Sequence, residues 1–108
     1  MILKKYEIKK QATAGTLESS DLQIIITNND NNGIDIDLKS SVEKQYGRRI
    51  RQVIEQTLDK MGITDAKLIV IDKGALDCTI VARTVGAVHR ACDITSNYDW
   101  EEIDTWSV

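Results

Sequence analysis

The residues able to do chemistry are few. His89 is the single histidine, and a serine hydroxyl is a weak nucleophile until a neighbouring base takes its proton. A hydrolytic pair would have to join His89 to Ser19, Ser20, Ser40, Ser41, Ser96 or Ser107 across the fold, and no Gly-x-Ser-x-Gly elbow presents any of them. Cys78 and Cys92 form no Cys-x-x-Cys and with His89 are too few for a zinc site; both read as buried, inert thiols. Asp35 and Asp37, two apart on an alternating segment, point to one side and would suit a cation or plain solvent equally well in type. Solvent is the simpler reading, because Asn28 to Asp37 lacks the ligand spacing and closing glutamate of a calcium loop. The glycines stand singly, so no loop cradles a phosphate. Arg48, Arg49 and Arg51 spread over more than one helical face and read as a solvated surface. There remains Glu18-Ser19-Ser20-Asp21, four polar residues between two apolar runs. A solvated serine with no base and no metal is a poor catalyst and a good acceptor for a group that another enzyme attaches. On residue chemistry alone, Ser19 and Ser20 need be no more than turn residues.

The elements that must position this tetrad follow from the pattern. Ala12 to Leu17 and Leu22 to Thr27 read as strands, and the polar break between them as a hairpin tip. Asn28 to Gly33 is a turn, since Asn, Asp and Gly accept positive φ. Ile34, Ile36 and Leu38 alternate with Asp35, Asp37 and Lys39, the period of a strand with one wet face. Ser40-Ser41-Val42-Glu43 has the spacing of a capping box. It opens a helix whose stripe is Val42, Tyr46, Ile50, Val53, Ile54, Thr57, Leu58 and Met61, with Gly62 placed to end it. Leu68 to Ile71 is apolar throughout and reads as a central strand covered on both faces. Ala75 to Ala91 reads as a second helix with Asp77 as its cap and Leu76, Ile80, Val81, Thr84, Val88 and Ala91 on one side. A strand over Cys78 to Thr84 is the alternative. The expected fold is α+β in the order β-β-β-α-β-α: a three-stranded antiparallel meander, helix, strand and helix, with the helices on one face of a small antiparallel or mixed sheet.

Composition sets outer limits. The chain has 108 residues, 42% hydrophobic and 29% charged, with no proline and a net charge of −3. That suits one globular domain and argues against wholesale disorder or a dedicated nucleic-acid binder, which needs surplus cations. No apolar run reaches the roughly 18 residues of a membrane span, and Met1 to Tyr6 has no apolar core of a signal peptide behind it. The expectation is a cytoplasmic protein. The domain is expected over residues 1–92, with an acidic tail over 93–108 that carries Trp100 and Trp106.

Three blocks carry a resemblance. Ala14-Gly15-Thr16-Leu17-Glu18-Ser19-Ser20-Asp21 resembles the modification site of the citrate lyase acyl carrier protein, or gamma subunit, family. Ser40 to Gly47 resembles its second block, and Asp72 to Cys78, followed by Ala82-Arg83, its third. The resemblance implies a non-catalytic carrier with 2'-(5''-phosphoribosyl)-3'-dephospho-CoA joined by a phosphodiester to the serine after Leu-Glu, which is Ser19, with Ser20 a bystander. It implies as partners a citrate lyase alpha subunit (transferase), which exchanges acetyl for citrate on the arm's thiol, and a beta subunit (lyase), which splits the citryl thioester. A loading enzyme is the third. The carrier subunit of malonate decarboxylase is a more distant match, and a non-enzymatic interaction module is the remaining alternative. Glu18 and Asp21, flanking the anchor, are expected to repel the arm's phosphates.

Overall fold

The computed structural model describes residues 8–92 apart from Asn31 and Ser41. Within them the order is β1 (Ala12–Gly15), β2 (Leu22–Thr27), β3 (Ile34–Ser40), α1 (Glu43–Lys60), β4 (Ala66–Asp72) and α2 (Asp77–Ala91). The expected class and element order are present, and Cys78 to Thr84 is helical. The acidic tail lies outside the described residues.

Strand pairing departs from the expected meander. The sheet order is β1-β2-β4-β3, so β4 separates two strands that are consecutive in sequence. β1 and β2 form the antiparallel hairpin, β2 pairs antiparallel with β4, and β3 runs parallel to β4 from Ile34 opposite Ala66 to Ser40 opposite Asp72. The segment β3-α1-β4 is therefore a crossover unit, which parallel neighbours require. The Asn-rich turn forms, with the Asn32 amide donating to Asn29 O at 2.9 Å. Its exit, however, is tied to β4: the Gly33 amide donates to Asp65 Oδ1 at 2.9 Å and the Ala66 amide to Gly33 O at 3.0 Å. This places the most apolar strand where both of its edges find backbone partners.

Burial alternates along β2 and β4, as half-covered strands require. Leu22, Ile24, Ile26, Leu68 and Val70 are wholly buried on the inner face. Ile50, Val53, Ile54 and Leu58 of α1 with its C-cap Met61, and Ile80, Val81, Val85 and Val88 of α2, close over them. Helix α2 packs on β1 and β2, α1 on β3, and the helices touch each other. The outer face stays open, with Ile69 40% exposed, so β4 is central but covered on one side only. Thr57 and Thr84, buried in the helix faces, donate their hydroxyls to Val53 O and Ile80 O at 2.8 Å each, which removes the penalty of burying them.

The helix starts also differ from expectation. Ser40 is the last residue of β3 and caps nothing; the N-cap of α1 is Val42, without a side-chain bond. Ser40 Oγ donates to Asp72 Oδ2 at 2.8 Å and accepts the Val42 amide at 3.1 Å. The reciprocal Glu43 half of the expected box lies outside the described side chains. Asp77 is the first residue of α2 rather than its cap, which is Leu76. Gly62, at φ +75, ends α1 as expected. Cys92 is buried, but Cys78 is exposed, because it falls on the outer side of the first turn of α2.

Candidate functional site

The hairpin tip is built from its glycine outward. β1 ends at Gly15, whose φ of +88 turns the chain so closely past β2 that an added Cβ would lie 1.9 Å from Leu22 O. Thr16 then donates to Asp21 Oδ2 at 2.7 Å and accepts the Glu18 amide at 3.2 Å. The Asp21 amide donates to Glu18 O at 3.2 Å, closing a four-residue turn with Ser19 and Ser20 at its corners. Ser20 has φ 65, the left-handed value that the third residue of a type II turn adopts. Its amide donates to Lys73 O at 2.8 Å, and the Lys73 amide donates to Asp21 O at 2.8 Å. The ladder of β2 and β4 thus continues one pair beyond Leu22 and Asp72 and fastens the tip to the body.

Asp21 was expected at the surface and is instead the hub beneath the tip. It is 8% exposed. Its carboxylate accepts Arg83 Nε at 3.0 Å, Arg83 Nη2 at 2.8 Å, the Thr16 hydroxyl and, at 2.7 Å, the Leu22 amide. The Arg83 bonds, foremost, hold its carboxyl far below the usual carboxylate range, aided by Thr16 and the Leu22 amide and opposed by burial. Asp21 therefore faces inward, already neutralised, and cannot repel an arm; Glu18 alone of the flanking pair is exposed. Local periodicity gave no sign that Arg83 grips the tip, since it lies 62 residues from its partner; Thr16 stands in the first resemblance block, but its bond to Asp21 is a finding of the fold.

A second buried carboxylate ties the remaining blocks together. Asp72, 1% exposed, accepts Ser40 Oγ, the Gly74 amide at 3.1 Å and the Ala75 amide at 2.9 Å. Arg49 Nη2 meets Asp77 Oδ2 at 2.6 Å and joins α1 to the start of α2. The three sequence blocks thus meet at one end of the sheet, around the tip.

Ser19 is exposed and makes no hydrogen bond among the described residues. The other candidates lie elsewhere. His89 is 2% exposed in the last turn of α2, about 18 Å along the axis from Asp77, so it meets neither Ser19, Ser20 nor Ser40; Ser41, Ser96 and Ser107 lie outside the described residues. Asp35 and Asp37 project from the open sheet face. Of the arginines, Arg49 is held by Asp77 and Arg51 by Ile36 O at 2.6 Å, which leaves Arg48 in solvent. No helix among the described residues is long and apolar enough to cross a membrane.

The Asp21 hub makes a pH prediction. A carboxyl held below its ordinary value stabilises the fold fully above its unfolded value, and that contribution is lost as pH falls toward the folded one. The parent should lose stability steeply from about pH 4 downward. Arg83→Met should cost about 2 kcal/mol at neutral pH, less than for a fully buried pair because Arg83 is 40% exposed, and should flatten the acid limb. Urea unfolding from about pH 7 to about pH 2 reads both; parallel limbs would contradict the role given to Arg83.

Comparison with known proteins decides the family. The model of the malonate decarboxylase delta subunit (MdcD) family of acyl carrier proteins matches residues 9–91. The citrate lyase acyl carrier protein of Streptococcus pyogenes serotype M5 (strain Manfredo) is 59% identical over 102 residues, 94% of this chain and 99% of that one. The chain belongs to the citrate lyase acyl carrier protein family. A second member, from Streptococcus pyogenes serotype M4 (strain MGAS10750), is 58% identical over the same coverage. Among solved structures, this acyl carrier fold is similar to a chain of a Pseudomonas malonate decarboxylase hetero-tetramer, with a TM-score of 0.69 and 17% identity over 83% of this chain and 92% of that one. It is also similar to part of homoserine kinase from Cytophaga hutchinsonii, with a TM-score of 0.60 and 10% identity over 98% of this chain and 42% of that one. Both of the latter likenesses concern the fold of the family alone.

Proposed function

We propose that this chain is the carrier subunit of a citrate lyase and that Ser19 bears its covalent arm, a phosphoribosyl-dephospho-CoA. One observation carries the assignment: in a family of acyl carriers, the serine after Leu-Glu stands at the corner of a braced turn with its hydroxyl exposed and unengaged. A phosphodiester at that oxygen would displace no hydrogen bond and meet no wall of the fold. Ser20 is the lesser candidate, because its backbone is pinned to Lys73 in a left-handed conformation.

When bound, the arm supplies a thiol that holds acyl groups as thioesters. The chain's own residues supply the mount. Gly15, Thr16, Asp21 and Arg83 fix the base of the tether, and a tether from a fixed base raises the local concentration of its cargo at each partner site. In this reading the chain breaks no bond itself. It works in the cytoplasm with a transferase subunit, a lyase subunit and a loading enzyme. The 59% identity to a citrate lyase carrier favours citrate lyase over malonate decarboxylase.

Trypsin should release Gln11 to Lys39 as one peptide, since no Lys or Arg lies between. In protein made beside its loading enzyme, that peptide should carry a large mass adduct that alkali removes by β-elimination. An unmodified peptide from such a host would overturn the carrier assignment in favour of an interaction module.

A further inference from the structure

Four large hydrophobic side chains are exposed among the described residues: Leu17, Tyr46, Ile69 and Leu76, at 52%, 54%, 40% and 70%. Three of them belong to the end of the fold that presents Ser19. Leu17 lies in the tip itself. Leu76 follows the Asp72–Ala75 loop, whose Lys73 backbone clasps Ser20 and Asp21. It also lies two helical turns before Arg83, on the same side of α2 as the residue that grips Asp21. Tyr46 stands one turn before Arg49, which bridges to Asp77 beside Leu76. Tyr46 continues the apolar stripe of α1, and Leu76, the cap of α2, precedes that of α2; both stand past the edge of the core and are largely uncovered by the described fold. Exposed large side chains gathered toward the functional end of a domain, rather than scattered over it, suit a protein-binding surface.

We propose that Leu17, Tyr46 and Leu76 form the docking rim for the enzyme that loads Ser19, and that this enzyme covers the tip with an apolar patch of its own. The proposal rests on Ser19 being the attachment residue. Reach selects the occupant. Loading joins Ser19 Oγ to the phosphorus of an activated phosphoribosyl donor. The new P–O bond forms as the bond to a phosphate-type leaving group breaks, and the hydroxyl proton passes to a base on the enzyme. The oxygen must come within about 3–3.5 Å of phosphorus, and a serine side chain is short, so the loading enzyme's surface has to close over the tip. A subunit that acts on the thiol at the far end of the arm has no such need.

The test uses the full-length apo protein, the purified loading enzyme and its activated donor, with initial loading rates followed by intact mass against carrier concentration. Leu76→Ser and Tyr46→Ser should each retain the parent's Tm. Each should raise KM for loading, the pair together by about tenfold or more, with kcat retained. Leu17→Ser should act in the same direction. Ile69→Ser, on the open sheet face, should load as the parent does. After prolonged loading, the Leu76 and Tyr46 variants should support acyl transfer in the assembled complex at the parent's rate. Unchanged KM in the Leu76 and Tyr46 variants would overturn the proposal, as would normal loading with slowed acyl transfer, which would give the rim to the catalytic subunits. Absence of an adduct on Ser19 in the parent would overturn the attachment assignment instead.

Discussion

A Ser19→Ala protein is expected to fold as the parent does and to take up no prosthetic group. The side chain is exposed and engages no partner among the described residues, so its removal should change stability by no more than about 0.5 kcal/mol. Loading, by contrast, should disappear entirely, and with it turnover of any complex assembled on the variant. Ser20→Gly is the informative companion. It removes a Cβ from a left-handed residue at φ 65, a conformation that disfavours L side chains by about 1–2 kcal/mol. That variant should therefore be fully loaded and somewhat more stable. Intact-mass measurement with thermal melts reads both variants. Loading of Ser19→Ala to the parent's level would remove Ser19 from the account.

The second large effect is expected at Gly15. Its Cβ in an alanine variant would lie 1.9 Å from Leu22 O, 3.0 Å from Leu22 C and 3.3 Å from Arg83 Cδ, at φ +88. The Arg83 side chain has freedom to shift, but the Leu22 carbonyl is backbone in a paired strand and has little. The left-handed conformation adds its own penalty. Gly15→Ala should therefore cost about 3 kcal/mol or more, a fall in Tm of roughly 12–24 °C for a domain of this size. Because the last pair of the hairpin is Gly15 opposite Gln23, opening should begin at the tip. Loading should then fall even at temperatures where the rest of the domain is folded. A melt within a few degrees of the parent would show that the tip has slack the structure does not display.

Much of this was legible in the sequence because it rests on local periodicity. Leu22-Gln23-Ile24-Ile25-Ile26-Thr27 alternates as a half-covered strand, the α1 stripe from Ile50 to Met61 is buried as its spacing requires, and Gly62 stops the helix. Pairing was not legible, because it was decided by contacts far apart in the chain. Asp65 grips Gly33 across 32 residues, and a parallel crossover carries no local mark that separates it from a meander followed by a helix. The same distance hid Asp21. A carboxylate beside two serines reads as solvated until Arg83 arrives from α2. Ser40 had the spacing of a cap, but Asp72, also 32 residues away, claims its hydroxyl. Tyr46 and Leu76 had the spacing of core residues, yet periodicity fixes only the side of a helix. How far the neighbouring layer extends along that side is a tertiary fact, and here it stops short of both.

The attachment residue can be read from the peptide Gln11 to Lys39 of loaded protein after alkali. β-Elimination of the arm leaves a dehydroalanine where the phosphodiester stood, and fragment ions separate position 19 from position 20. The expected product has dehydroalanine at position 19 with Ser20 intact. Dehydroalanine at Ser20, or a loaded protein whose adduct lies outside this peptide, would contradict attachment at Ser19.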